Sequence, residues 1–438
     1  MFSKKDIRTL IFPLMMEQFL VVMVGMVDTL MISGAGESAV SGVSLVDSVN
    51  FMLSMLFSGL ATGGSIFIAQ LLGRREEKEA AKTGAQLLCT SVAAALLVMA
   101  AALIGGRRIL ILLFGSITPQ VAQNAQSYFF ITAFSYPFLA AYNAVSSMFR
   151  SMGNSKTPML VSVLANFVNI AGNALFIYAL QLGAAGAALG TLLSRVLSAV
   201  LLLLLWNHGD NPLGIRSLRE FKPDFRLIRK IFSLGVPIAL ENSIFQIGRV
   251  LVQSMVSGFG TSAITANAVA HSIISLAQVP GNAIGLALVP VAGQCVGAGE
   301  WEQARKYAKQ LVGFSYVIMA ALGILLFFAG PLAVTPYHLG RETAETAVSL
   351  LKYCCVCTAL VWPAAFVLPS FLRAAGKVTF TMAVSFLSMW IFRIAFGYLL
   401  SVRFQLGVFG VWAAMTADWL CRSVCFIISF AAQKKKAG

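Results

Sequence analysis

The chain has 438 residues, of which 58% are hydrophobic and only 11% charged, and a formal net charge of +15. A soluble domain carries roughly 25% charged residues, and so little polar side chain cannot cover the outside of a water-soluble fold. Composition therefore excludes a soluble globular protein and makes lipid the solvent.

The apolar residues fall in long runs without Asp, Glu, Lys or Arg, at 83–106, 109–149, 157–194, 250–299 and 310–340. About 20 apolar residues cross the hydrocarbon core as a helix, so the longest runs are helix pairs joined by short turns. Strand-like alternation is missing, and a helix satisfies its own backbone in lipid. Twelve spans are predicted, at 11–33, 43–72, 84–106, 125–148, 158–181, 184–206, 231–257, 267–296, 308–330, 346–370, 379–401 and 405–430.

The first span follows Lys4, Lys5 and Arg8, carries Glu17 and Asp28, and lacks a small-residue cleavage site, so it reads as a retained helix rather than a signal peptide. A charge at the bilayer centre costs about 2.5–3.5 kcal/mol on insertion scales, and each one needs a reason. Glu17 and Asp28 are eleven residues apart, about three turns, and so face the same way. In the fifth span, Asn166, Asn169 and Asn173 share one face. Asp28, Asn169, Asn173 and Thr191 of the sixth span all fall in the outer half of the first six helices. A carboxylate with amide and hydroxyl oxygens is suited to a hard cation, with sodium at Asp28 one candidate. It is equally suited to a proton, because burial penalises a bare carboxylate. The alternative is that Asp28 and the asparagines only bond neighbouring helices.

Residues 207–230 form a polar linker. Beyond it, the seventh span presents a polar stripe of Asn242, Gln246, Arg249 and Gln253, which must face protein or water. With Glu17 and Glu241 it is the candidate lining of a substrate cleft, lobe packing being the other reading. Arg249 would repel cations there unless Glu241 or Asp418 paired with it. His271 in the eighth span reads as a helix–helix hydrogen bond more readily than as a proton relay. Pro280, Pro290, Pro363 and Pro369 interrupt spans and are candidate hinges or fixed kinks. Cys354 and Cys357 have C-x-x-C spacing in an apolar span, but no second pair or His cluster accompanies them, so the seven cysteines read as packing. Asp418 and Arg422 in the twelfth span stand four residues apart and read as an intrahelical pair.

With the N-terminus inside, 23 of the 32 Lys and Arg fall in cytoplasmic segments and 4 in external loops. That bias places both termini in the cytoplasm. It makes the basic charge a topology signal and a contact for anionic lipid rather than a nucleic-acid footprint.

The two halves repeat in a constant register: Pro13, Glu17, Met31, Ser33, Gly34, Gly36, Ser38 and Ala39 recur as Pro237, Glu241, Met255, Ser257, Gly258, Gly260, Ser262 and Ala263. Gln70, Gly73 and Glu76 recur as Gln294, Gly297 and Glu300, and Leu182-Gly183 as Leu406-Gly407. Phe149-Arg150 and Gly153 resemble Leu372-Arg373 and Gly376 in a register shorter by a single position. The chain is therefore expected to be all-α, with two six-helix lobes in the same orientation, 1–206 and 231–438, joined by the linker. Two lobes around a cleft suit alternating access, and the chain is expected to act as a monomer.

At these anchors the sequence resembles the multidrug and toxic compound extrusion (MATE) family, over nearly the whole chain. The resemblance rests on Pro13 with Val27-Asp28-Thr29, on the run Phe149 to Met159, and on Gly293 to Gly299. It implies twelve helices in a bacterial or archaeal plasma membrane and export of cationic or amphipathic compounds driven by protons or sodium, with no cofactor. By resemblance to the DinF-like branch, Asp28, Asn169 and Thr191 match a coupling pattern in which Asn173 stands where a second aspartate is expected. The NorM-like branch carries a glutamate near Phe245, which this chain lacks. A lipid-linked oligosaccharide flippase of the wider superfamily is the alternative, with Arg249 and Arg393 facing a pyrophosphate. A membrane enzyme is disfavoured, since no Gly-rich nucleotide loop, no zinc His cluster and no soluble segment longer than the 207–230 linker is present.

Overall fold

The computed structural model describes residues 2–115, 118–208, 211–214 and 221–433. Arg216, Arg219 and Lys434 to Lys436, counted above as cytoplasmic, lie outside them, as does part of the 207–230 linker. The described residues hold helices and no strand. The first six are α1 (Lys4–Ser33), α2 (Glu37–Gly73), α3 (Glu77–Phe114), α4 (Pro119–Ala133 and Tyr136–Ser151), α5 (Lys156–Asn173, prolonged by a π turn Ala174–Ala179) and α6 (Gly183–Trp206). The second six are α7 (Phe225–Ser257), α8 (Thr261–Gly297), α9 (Trp301–Val334), α10 (Arg341–Leu360, Trp362–Phe366 and Leu368–Ala374), α11 (Val378–Ser388, with π turns Met389–Phe396 and Leu399–Arg403) and α12 (Gly407–Ala432).

Among the described residues, ten helices are long and apolar enough to cross a membrane, and α10, bent by 65° at its break, makes an eleventh. Each predicted span falls on one of the twelve helices. The fourth is interrupted at Phe134 and Ser135, which leaves stretches of 15 and 16 residues. Large apolar side chains point outward along these helices, Ile104 being 88% and Leu112 86% exposed. Water would penalise that exposure and lipid does not.

Helix ends follow local chemistry. Ser3 and Asp6 form a reciprocal capping box that opens α1. Left-handed residues, φ between +50° and +96°, occur twelve times among the described residues, and they fall into six pairs related by the repeat. The pairs are Gly36 with Gly260, Arg75 with Gly299, Gly115 with His338, Gly153 with Gly376, Gln181 with Gln405, and Gly183 with Gly407. A conformation that L-residues rarely adopt thus recurs at matched positions, and the two halves turn their corners alike. The register lengthens by a single position between the pair Gly153 with Gly376 and the pair Gln181 with Gln405. The extra π turn Met389–Phe396 lies between the matching positions in the second half, and a π turn accommodates one inserted residue.

By contacts the chain divides into two compact units, Phe2–Ala239 and Leu240–Gly438, so α7 contributes to both. The start of α7 is held to the first unit by ion pairs of Asp224 with Lys82 and Arg226 with Glu79. Lys82 beside it keeps the Asp224 carboxyl below the usual carboxylate range. Within the first unit α1 packs on α5, α2 on both stretches of α4, and α5 along α6. Within the second, α8, α9 and α10 pack on one another, and α12 on α11.

One ion pair recurs with the repeat. Glu17, 4% exposed, accepts from Arg150 Nη2 at 2.7 Å and from Tyr142 Oη at 3.2 Å. Glu241, also buried, accepts from Arg373 Nη2 at 2.8 Å and from Ser385 Oγ at 2.7 Å. Removing one partner of a buried pair strands the other charge, at about 3 kcal/mol or more. Glu17→Gln is therefore expected to lower the Tm of the purified protein by several degrees, and the double change Glu17→Met with Arg150→Met to recover most of the loss. Equal Tm values for wild type and Glu17→Gln would show the pair to be dispensable.

Candidate functional site

The close approach of α5 to α6 sets the site in the first unit. Gly172 and Gly190 meet across the two helices, and a Cβ on Gly190 would fall 2.2 Å from Asn173 Oδ1. Small residues let the backbones approach, which seats the Asn173 side chain. Its Nδ2 donates to Asp28 Oδ1 at 2.8 Å, across to α1, and lies 3.5 Å from Asn169 Oδ1.

These side chains border a small cavity lined by Asp28, Thr29, Asp47, Tyr128, Asn173 and Thr191, among others. Three of the four predicted coupling residues, Asp28, Asn173 and Thr191, thus line one space. Asn169 stands one turn away on α5, linked through Asn173. Asp47 on α2 is the component that sequence reasoning missed. Tyr128 Oη on α4 donates to its Oδ1 at 2.8 Å, and Asn50 Nδ2 approaches the same oxygen at 3.4 Å. Tyr136 Oη then donates to Asn50 Oδ1 at 2.8 Å. Asp28 is half-buried and the Asp47 residue exposed. Asp28 and Asp47 act electrostatically on each other, and Arg195 acts on both while donating to Ser135 Oγ at 2.7 Å. The signal that could have found Asp47 was present: it is a carboxylate inside a predicted span, and any such group is a functional candidate.

The volume decides what the cavity can hold. It measures about 30 Å³, enough for roughly two waters or a small ion. A drug-sized ligand needs roughly 300–1,000 Å³. Two carboxylates, a tyrosine hydroxyl, an amide and a threonine hydroxyl in that space suit a cation or a proton.

The predicted cleft residues are placed differently. Glu17 and Glu241, expected to line the cleft, are buried ion-pair partners within their own units, because each is claimed by a matched arginine. Arg249 pairs with neither Glu241 nor Asp418; its Nη2 lies 3.5 Å from His271 Nε2. Gln253 Oε1 accepts from Asn267 Nδ2 at 3.2 Å. Asn242 and Gln246 are half-buried on the same helix. Asp418 and Arg422 form the expected intrahelical pair at 2.8 Å, and Arg393 joins it at 3.0 Å.

The family model MatE matches residues 13–175 and again 237–399, one copy in each half. The chain belongs to the MatE family. It is 26% identical to a probable multidrug resistance protein, YoeA, of Bacillus subtilis, over 87% of this chain and 83% of that one. It is 25% identical to the probable multidrug resistance protein NorM of Thermotoga maritima, over 98% and 93%. An outward-facing multidrug resistance MATE family transporter superposes with a TM-score of 0.92 at 20% identity, over 99% of this chain and 97% of that chain. As a MATE protein the chain is a multi-span membrane transporter of small molecules and not an enzyme, with the twelve helices of the MATE fold in two halves.

The Asn173–Asp28 bond gives a direct check. Asn173→Leu keeps the size of the side chain and removes the donor; a single hydrogen bond nets about 1 kcal/mol, so the expected outcome is a nearly unchanged Tm with coupled transport lost in proteoliposomes. Full transport by this variant would separate Asn173 from the site.

Proposed function

We propose that this MATE protein is a secondary active antiporter of the plasma membrane, with both termini cytoplasmic. It exports amphipathic small molecules, cations among them, in exchange for an inward cation bound at Asp28 and Asp47. The carrying observation is the acidic cavity: it is too small for a substrate and is lined by two carboxylates on which one arginine acts. Helix packing alone does not need two carboxylates, and a pair left there without a counter-ion would repel itself.

A proton is the better-supported ion. Sodium asks for several oxygen ligands turned toward one point. Here Asn173 turns its NH₂ toward Asp28 and Tyr128 its hydroxyl proton toward Asp47. Such donors stabilise carboxylates that exchange one proton between solvent and site. Loading the ion and loading substrate must favour opposite conformations, since only differential binding moves a two-state equilibrium. The flippase alternative draws no support from the relatives, whose names are those of multidrug resistance proteins.

The test is dye transport in proteoliposomes under a proton gradient or a sodium gradient, for wild type, Asp28→Asn and Asp47→Asn. The expected outcome is accumulation driven by the proton gradient alone, reduced about 100-fold in either variant, the scale of losing an interaction of 2–3 kcal/mol. Accumulation driven only by sodium would reassign the ion. Unimpaired coupled transport by both variants would remove the site.

A further inference from the structure

The second unit has the opposite polarity. Three of its arginines lie within the predicted membrane spans: Arg249 on α7, Arg393 in the first π turn of α11, and Arg422 on α12. One carboxylate serves two of them. Asp418, fully buried, accepts from Arg422 Nε at 2.8 Å and from Ser388 Oγ at 2.6 Å, and its other oxygen lies 3.0 Å from Arg393 Nη2. The neighbouring carboxylate, Glu241, is held by Arg373. Arg249 meets His271, which brings no negative charge. Two guanidinium charges are therefore left without a counter-charge among the described ion pairs.

That surplus is expensive. Each arginine at mid-membrane costs about 2.5–3.5 kcal/mol. Aromatic faces return part of this: Arg393 and Arg422 lie 5.0 and 5.4 Å from the centre of the Phe245 ring, and Arg422 5.8 Å from that of Phe366. A cation–π contact is worth about 0.5–2 kcal/mol, less than the cost. Arg393 is 4% exposed, yet its Nε has no hydrogen-bond partner. A donor so buried and so left calls for an acceptor.

The repeat locates the reversal. His271 stands at the position that repeats Asp47, in a register fixed by Gly36 with Gly260 before it and Arg75 with Gly299 after it. Arg393 repeats the position of Asn169, to within the single position that the π turn inserts. Two positions at or beside the acidic cavity, Asp47 and Asn169, thus carry basic side chains in the second unit, while Asp28, Asn173 and Thr191 are matched by the uncharged Val252, Gly397 and Met415. Arg249, His271 and Arg393 also act electrostatically on one another.

We propose that the C-terminal unit binds the carboxylate of an aromatic substrate at Arg249, His271 and Arg393, with Phe245 and Phe366 as the wall against its ring. Trp362, buried and stacked on Phe366 at 5.0 Å, backs that wall. The guanidinium forks give the oxyanion charge-assisted bonds, and the ligand supplies the charge that the unit lacks. The substrates of this transporter then include acids and zwitterions rather than cations alone. The site stands whether or not Asp28 and Asp47 are the coupling pair.

The test is isothermal titration calorimetry of the full chain in nanodiscs of zwitterionic lipid, with benzoate, inorganic phosphate and benzylamine as probes. Wild type is compared with Arg249→Gln and Arg393→Gln. The expected result is that benzoate binds, that both variants weaken benzoate about tenfold or more, and that neither variant weakens any binding of benzylamine. Phosphate is expected to compete weakly, because it cannot use the aromatic wall. Arg393→Gln breaks an ion pair and is checked for folding by size exclusion. Arg249→Gln touches no carboxylate and carries the test alone if the other variant does not fold. The proposal is overturned if benzoate does not bind wild type, if Arg249→Gln weakens benzylamine as much as benzoate, or if Arg249→Gln binds benzoate as wild type does.

Discussion

A charge in hydrocarbon has to be partnered, and the placement of the ionisable groups in this protein follows from that cost. Glu17 and Glu241 are each claimed by an arginine from the end of the fourth helix of their half. Asp418 is claimed twice over. What remains after these pairings is two carboxylates with one arginine in the first unit, and unmatched guanidiniums in the second. The groups that the fold leaves incompletely neutralised are those that a moving ion or ligand can neutralise in turn.

Duplication supplies the frame on which that difference is written. The paired left-handed residues show that both halves turn at the same places, and the recurring Glu–Arg pair shows that both fasten their first helix to the fourth in the same way. Between these fixed points the two sequences diverge. Asp47 becomes His271, and Asn169 gives way to Arg393, within helices that keep their course. Structural positions were retained while the side chains at two of them changed from acidic or neutral to basic.

Much of this was legible in the sequence. Spans are visible because lipid demands long uncharged runs, and the repeat is visible because turns demand glycine at Gly36, Gly153 and Gly183 and at their partners. The asparagine face of α5 and its meeting with Asp28 followed from helical periodicity and the topology of the spans. Other features depended on tertiary contacts that periodicity does not carry. The break at Phe134 and Ser135 occurs inside an uncharged run, whereas the 65° bend in α10 falls beside Pro363, one of the prolines read as a candidate kink. Asp47 lies four residues inside a predicted span, where a charge can pass for a helix end; only its bond from Tyr128, 81 residues away, places it in the cavity. The partners of Glu17 and Glu241 are hidden in the sequence, since Arg150 and Arg373 sit at span ends, where they read as topology signals.

The central claim is that the carboxylates Asp28 and Asp47 bind the coupling ion. Its most direct test is proton release from the purified protein in weakly buffered detergent solution when a transported dye is added, read with a pH electrode for wild type and for the double variant Asp28→Asn with Asp47→Asn. The account predicts that dye binding displaces protons from wild type and none from the double variant. Equal proton release from both proteins would contradict it.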